Sequence, residues 1–379
     1  MADWSDLTND VLEYIARLLS FSDHYLFSAV CRNWRSVSKW RWYPPAPQLP
    51  WLVLDEESDT SKRKFYSLSE DKHYSIDIPE LHGCYICGSS HGWLFAVDIK
   101  ITGILINPFT RECYELPPFP AYGKNVDVTT LTEKVPSDYI EGPRDYTFEE
   151  MQLKIVFKAI LSHDPKKKSD FTAMILFGEF NTPAFWRPGD LGWTVVVGQE
   201  GSMSDVVYFK GNFYVLSWMN VLRVVDFEPE PKLREVGPEI RVWYHSYQNY
   251  LMDFNGELLL INRLCETEEN GQTITVDFDV IEPDLENNRI WYWYDFDDLY
   301  AIFLGRNSSI FVHSNDFSMC KKNGIYFTHL TETIFSPAEF GCHDLGVYDM
   351  KDESISKFFS LEVFPPPVGS PIWLTPNPL

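Results

Sequence analysis

Four potential metal ligands fall within ten residues of this chain, His82, Cys84, Cys87 and His91 in HGCYICGSSH. Zinc takes such nitrogen and sulfur donors, and Cys-x-x-Cys is a recognisable half-site. The stretch also reads as a strand, in which Cys84 and Cys87 diverge to opposite faces unless a turn intervenes. The expectation is therefore no metal. Asp295, Asp297 and Asp298 in WYWYDFDDLY offer paired carboxylates of the kind glycoside hydrolysis uses. No base stands at a defined separation from them, so they read as a solvated turn after an aromatic strand. Cys320 and Cys342 lie near His313, His329 and His343, but thiol and imidazole close in sequence do not make a catalytic dyad. No catalytic residue and no cofactor are expected.

The elements that would hold such residues divide the chain in two. Residues 6–39 carry its only sustained helical periodicity. Thr8 or Asn9 can cap a helix whose apolar residues Val11, Leu12, Ile15, Leu18 and Leu19 share one face, with Glu13, Tyr14 and Arg17 off the stripe. Ser22-Asp23 starts a second helix with Leu26, Phe27 and Val30, and a third short helix carries Val30, Trp34 and Val37. Three helices in about forty residues bury too little to stand alone comfortably, so their apolar surplus must pack on the remainder of the chain or on a partner. Tyr43–Pro50, YPPAPQLP, holds four prolines, cannot continue a helix, and marks the domain boundary.

From Trp51 onward, short runs of Val, Ile, Phe, Tyr and Trp alternate with Gly, Pro, Asn and Asp turns, the signature of an all-β domain. A glycine turn followed by an apolar strand recurs at Gly92, Gly211, Gly256 and Gly324, each with a second strand ending in a polar residue: Asn107, Asp226, Glu282 and Asp349. The offsets are 15, 15, 26 and 25 residues, and the glycines lie 119, 45 and 68 residues apart, so the first gap has room for one more unit. Strand-only repeats of roughly 45 to 60 residues suggest a β-propeller. Six blades are the first choice for its length and seven the alternative; two stacked sandwiches are the competing architecture, because the repeat is imperfect. The domains are thus 1–42 helical, 43–50 linker and 51–379 propeller.

Charge and cysteine content narrow the partners. There are 32 Lys and Arg against 55 Asp and Glu, a formal charge of −23, which repels nucleic acid and anionic membrane surfaces. Seven cysteines, mostly in apolar runs, look like reduced thiols of the cytoplasm or nucleus. No stretch reaches the roughly 18 apolar residues of a membrane span, and MADWSDLTND lacks the features of a secretory signal. Lys62-Arg63-Lys64 and Lys166-Lys167-Lys168 have the composition of nuclear-localisation patches; in so acidic a chain they read as loop-tip lysines. The aromatic turns Trp243–Tyr247 and Trp291–Tyr294 could serve recognition or the core.

The run Leu7-Thr8, Val11-Leu12, Ile15, Leu18-Leu19, Asp23, Phe27 and Val30-Cys31-Arg32-Asn33-Trp34-Arg35-Ser36 resembles an F-box. The resemblance implies docking on the Skp adaptor of a Skp–cullin–F-box ubiquitin ligase through Leu7, Thr8, Leu12, Ile15, Leu18, Val30, Cys31 and Trp34. Thr8 departs from the proline usual in that family. Residues 51–379 resemble the KIB-type β-propeller that follows an F-box in a plant family of kelch-like substrate receptors. The matching motifs are Gly88–Leu94, Ile106–Thr110, Leu116–Pro118, Arg187–Asp190 with Trp193-Thr194, Phe303–Gly305, Asn323–Phe327 and Ile372–Pro376. Together they imply a substrate receptor whose propeller holds a target protein for ubiquitination. A propeller enzyme acting on glycans or esters, and a binding module that inhibits its partner without ubiquitylation, are the rival functions.

Overall fold

The computed structural model describes residues 4, 7–19, 23, 27, 30–37, 48–56, 60–119, 152, 155–198, 201–240, 246–267, 269, 273–330, 343–357 and 371–377. Two helices lie in the N-terminal part, α1 (Asn9–Leu18) and α2 (Arg32–Val37). The expected middle helix falls mostly outside the described residues. Among the described residues after them, the main elements are β-strands arranged as six sheets, with short 3-10 turns at Pro79–Leu81 and Ser314–Asp316.

Blade 1 contains β1 (Trp51–Glu56), β2 (Lys62–Ser67) and β3 (Lys72–Asp77). Blade 2 is β4 (Tyr85–Ser90), β5 (Trp93–Val97), β6 (Gly103–Ile106) and β7 (Cys113–Glu115). Blade 3 is β8 (Val156–Leu161), β9 (Ala173–Phe177), β10 (Thr182–Trp186) and β11 (Thr194–Val195). Blade 4 is β12 (Met203–Phe209), β13 (Asn212–Ser217), β14 (Leu222–Asp226) and β15 (Lys232–Glu235). Blade 5 is β16 (Ser246–Phe254), β17 (Glu257–Thr267), β18 (Thr273–Asp284) and β19 (Arg289–Trp293). Blade 6 has five strands, β20 (Tyr300–Leu304), β21 (Ile310–His313), β22 (Gly324–Leu330), β23 (His343–Asp349) and β24 (Ile355–Ser356). Last comes β25 (Ile372–Leu374), which pairs antiparallel with β1, Trp51 opposite Leu374 and Val53 opposite Ile372, and completes blade 1.

The core shows the same ring. Six buried apolar clusters form, each shared by two successive blades, and one of them joins blade 6 to blade 1 through Phe303, Tyr326, Leu52 and Trp373. Leu49 is buried in that closing cluster, so the proline-rich linker ends inside the propeller core. Six blades are therefore observed, as the repeat length suggests.

The recurring glycines have a conformational origin at three of the four positions. His91-Gly92, Lys210-Gly211 and Asn255-Gly256 each hold two consecutive positive φ angles between the first and second strands of a blade. Turns of that kind match the twist of the strands they join, and glycine adopts them without steric cost. Gly324 differs: β20 lies between β21 and β22 and runs parallel to β22, so no tight hairpin precedes this glycine. The long first gap contains blade 3, whose first two strands are joined by the 162–172 loop in place of a two-residue turn.

One device recurs that periodicity does not reveal. The innermost strands of blades 2 to 5 each carry a bulge near their start, between Ile86 and Gly88, Val156 and Lys158, Met203 and Asp205, and Ser246 and Gln248. An extra residue re-aims the side chains that follow it. Here it presents Gly88, Lys158, Asp205 and Gln248 at equivalent places around the ring.

Candidate functional site: the helical unit and the propeller ring

In the helical unit, Leu12 is fully buried and Phe27 nearly so, and Phe27 packs against Trp34 with ring centroids 4.5 Å apart. The Trp34 indole N–H donates to the Trp4 carbonyl at 3.1 Å, the Asn33 amide donates to the Leu7 carbonyl at 3.3 Å, and the Trp34 N–H reaches Cys31 Sγ at 3.5 Å. These contacts tie α2 to the segment before α1. Leu7, Ile15, Cys31 and Trp34 are half-buried and Thr8 is exposed, while the Leu18 side chain is outside the described set. Leu12 serves the interior of the unit. The apolar groups most open to solvent are Trp4, Val11, Tyr14 and Val30, with 44% to 67% of their surface exposed. Periodicity placed Tyr14 off the apolar stripe, yet it belongs to this exposed set with Val30.

Thr8 occupies the N-cap position of α1 with φ −65° and ψ 150°, and its carbonyl accepts the N–H groups of Val11 and Leu12, both at 3.1 Å. Its hydroxyl makes no capping hydrogen bond, so the side-chain cap suggested by residue type is absent at this position. The backbone already has the φ that a proline ring imposes. Thr8→Pro is therefore expected to stabilise the helix start by about 0.4–1 kcal/mol through the unfolded state. In the full chain this appears as α1 amide hydrogen exchange slowed by about two- to fivefold.

The sequence-level chemistry disperses in the structure. Cys84 packs in the cluster between blades 1 and 2 and Cys87 in the cluster between blades 2 and 3, on opposite sides of the same strand. Burial pushes the Cys84 thiol up to about 11 and Cys87 up to about 12, so both are held as neutral thiols. His82 instead pairs with Glu56 at 2.6 Å, a hydrogen bond that raises its imidazole above the ordinary value. Among the described residues no group of three His, Cys, Asp or Glu is placed to hold a metal ion. Asp295, Asp297 and Asp298 form an exposed turn: Asp295 accepts the Asp297 N–H at 3.1 Å, and Asp298 is held by Asn323 and by Lys351, 3.1 Å away. His313 packs on Tyr300, and Cys320 is buried with its thiol pushed up to about 11. Cys342 and the side chains of His329 and His343 lie outside the described residues, as do Trp243, Tyr244 and His245.

One basic run requires correction. Lys62-Arg63-Lys64 is not at a loop tip; it opens β2, and strand alternation buries Arg63, whose guanidinium donates to the carbonyls of Leu81 at 3.2 Å and Cys84 at 2.9 Å. Lys166 and Lys167 do sit on the 162–172 loop, near Glu112 and Asp164.

The polar groups of the ring are spent on closure. Lys158 and Asp205 form an ion pair across blades 3 and 4 with side chains 3% and 1% exposed, and Asp205 also accepts the Leu251 N–H of blade 5 at 2.6 Å and the Val206 N–H at 2.8 Å. The segment between β20 and β21 joins three innermost strands: the Ser308 N–H donates to the Ser89 carbonyl at 2.8 Å, the Ser309 hydroxyl to the Leu251 carbonyl at 2.9 Å, and Asn307 Oδ1 accepts the Trp373 N–H at 3.4 Å. After β25, the Asn377 side-chain amide donates to the His91 carbonyl at 3.0 Å and to Asp164 at 2.9 Å, while the Asn377 backbone carbonyl accepts from the Asn107 side-chain amide at 2.6 Å. A Cβ on Gly92 would come within 2.3 Å of Asn377, and one on Gly88 within 2.5 Å of the Ala159 carbonyl oxygen. The motifs Gly88–Leu94, Ile106–Thr110 and Ile372–Pro376 are thus mutual contacts that close the ring.

Comparison with known proteins agrees with both parts. Residues 4–43 match the F-box domain and residues 65–349 the KIB1-4 beta-propeller. F-box protein SKIP23 of Arabidopsis thaliana is 25% identical over 414 residues, covering 99% of this chain and 96% of its own. F-box only protein 7 of the same plant is 24% identical over 288 residues, covering 72% and 69%. Among solved structures, a chain of a nidogen/laminin complex aligns with TM-score 0.40 and 8% identity over 86% of this chain and 99% of that one. TolB from Acinetobacter baumannii aligns with TM-score 0.41 and 9% identity over 86% and 66%.

Proposed function

This chain belongs to the F-box proteins with a KIB1-4 β-propeller, and from that premise we propose that it is the substrate-recognition subunit of a Skp–cullin–F-box ubiquitin ligase. The observation that supports the reading is the matched F-box with Val11, Tyr14 and Val30 open to solvent on a unit whose own core is Leu12, Phe27 and Trp34. A small helical unit with such exposed apolar groups gains from a partner surface. The adaptor takes the helices, the propeller takes the target, and the target's lysines reach high effective concentration near the ubiquitin-charged enzyme. No chemistry in this chain is required. The free thiols at Cys84, Cys87 and Cys320 are buried, which suits action in the cytoplasm or nucleus.

The test separates docking from folding. Tyr14→Asp with Val30→Asp places charge on exposed positions and is expected to lower retention of a Skp-type adaptor in pull-down by about tenfold or more, with the helical circular dichroism unchanged. Trp34→Ala is expected to lose both adaptor and helical order, because it removes the Phe27 contact. Undiminished adaptor binding in both variants, or no adaptor binding by the unaltered chain, overturns the assignment.

A further inference from the structure

Among the described residues, the outer strand of blade 5 is the one outer strand of the ring that exposes Trp and Tyr side chains. An edge strand exposes unpaired backbone N–H and C=O groups, and proteins ordinarily guard it with charged side chains. Such guards stand on three of the other outer strands, where Lys72 and His73 on β3, Glu115 on β7, and Lys232, Arg234 and Glu235 on β15 are all exposed, while β11 and β24 expose Val195 and Ile355. β19 opens with the exposed Arg289, and beyond it the exposed groups are Trp291, Tyr292 and, just after the strand, Tyr294, with 52%, 48% and 80% of their surface open. Trp293 anchors the strand from beneath, stacked edge-on to Phe254 at 5.4 Å and donating its indole N–H to Glu282 at 2.8 Å. The aromatic surface is therefore held on a fixed support.

Charge selects the occupant. The strand runs straight into exposed Asp295 and Asp297, neither of which meets a cation in ion-pair contact among the described residues, whereas Asp298 already pairs with Lys351. The chain as a whole carries −23. Aromatic faces beside exposed carboxylates bind ammonium and guanidinium groups, and Trp is the strongest such face. An added strand presents alternate side chains to the same side.

We propose that this edge docks an extended, lysine- or arginine-bearing segment of the target protein, pairing its backbone with β19 and laying its cations on the exposed aromatic rings that lead into Asp295 and Asp297. The inference rests on the substrate-receptor reading, since it names the chemistry of the target.

The full chain is titrated, by fluorescence anisotropy, into a labelled octapeptide of alternating Lys and Val and into its Glu and Val counterpart. The Lys peptide is expected to bind about tenfold or more tightly than the Glu peptide, and its affinity to fall with salt. Trp291→Ser with Tyr294→Ser is expected to weaken it by about tenfold, and Asp295→Asn with Asp297→Asn by several-fold, with melting temperature and adaptor retention unchanged. Should the tryptophan variant melt early, Tyr294→Ser alone and the Asp pair carry the comparison. Equal binding of the Glu peptide, undiminished binding by these variants, or concentration-dependent dimerisation that Trp291→Ser abolishes, which would make a second copy the occupant, overturns the proposal. If the unaltered chain binds the Lys peptide but retains no adaptor, the receptor reading fails and the edge site stands as peptide recognition.

Discussion

Asp205→Ala is expected to lower the unfolding free energy of the propeller by about 3–5 kcal/mol, the cost of leaving one partner of a buried ion pair alone. The substitution strips the counter-charge from Lys158 and also orphans the N–H groups of Leu251 and Val206. Lys158→Met should cost less. It removes the cation but leaves Asp205 with both N–H donors, and the methionine keeps most of the apolar stem in place. Urea melts of the two single variants and the double variant give the order and the coupling. Equal losses in the two singles would mean that the three-strand tie through Leu251 contributes nothing.

Trp373→Ala should be comparably severe. The side chain is fully buried, 5.0 Å edge-on from Phe303 and 6.3 Å from Tyr326, in the cluster that joins the last blade to the first. Truncating a buried aromatic of this size costs about 3–5 kcal/mol, and here the cavity opens at the closure itself. Thermal melting is expected to drop sharply. Asn377→Ala loses the side-chain hydrogen bonds to the His91 carbonyl and to Asp164 but keeps the one its backbone carbonyl accepts from Asn107, and should cost about 1–2 kcal/mol. A Trp373 variant no less stable than the Asn377 variant would show that closure does not depend on that aromatic contact.

Much of the architecture was legible because its signals are local. Gly92, Gly211 and Gly256 mark turns that need positive φ, and the apolar runs around them are strands. Gly324 looks identical in sequence and does different work, because the strand inserted before it in blade 6 is a matter of pairing, which sequence does not display. Blade 3 was foreseen only as room in a gap, since the 162–172 loop replaces the glycine signal. Lys158 and Asp205 were invisible: they meet only because two separate strands bulge at equivalent places. Arg63 was misplaced for a related reason, as a basic triplet suggests exposure while strand alternation turns its middle member inward. In the helical unit, the periodic stripe identified Leu12 as apolar, but which apolar groups remain uncovered, Tyr14 and Val30 among them, depends on how two short helices meet.

The pairing of β1 with β25 joins residues about 320 positions apart in the chain, the most remote kind of contact and the slowest to form. During synthesis, the F-box helices emerge before the propeller, and the strand that shuts the ring emerges after the other strands of that ring. A nascent chain carries its F-box long before its propeller is finished, and until Ile372–Leu374 arrive the inner edge of blade 1 stays open to pairing with another chain. Order of synthesis makes the ring-closing strand the checkpoint between a chain with a folded F-box and one with a closed propeller.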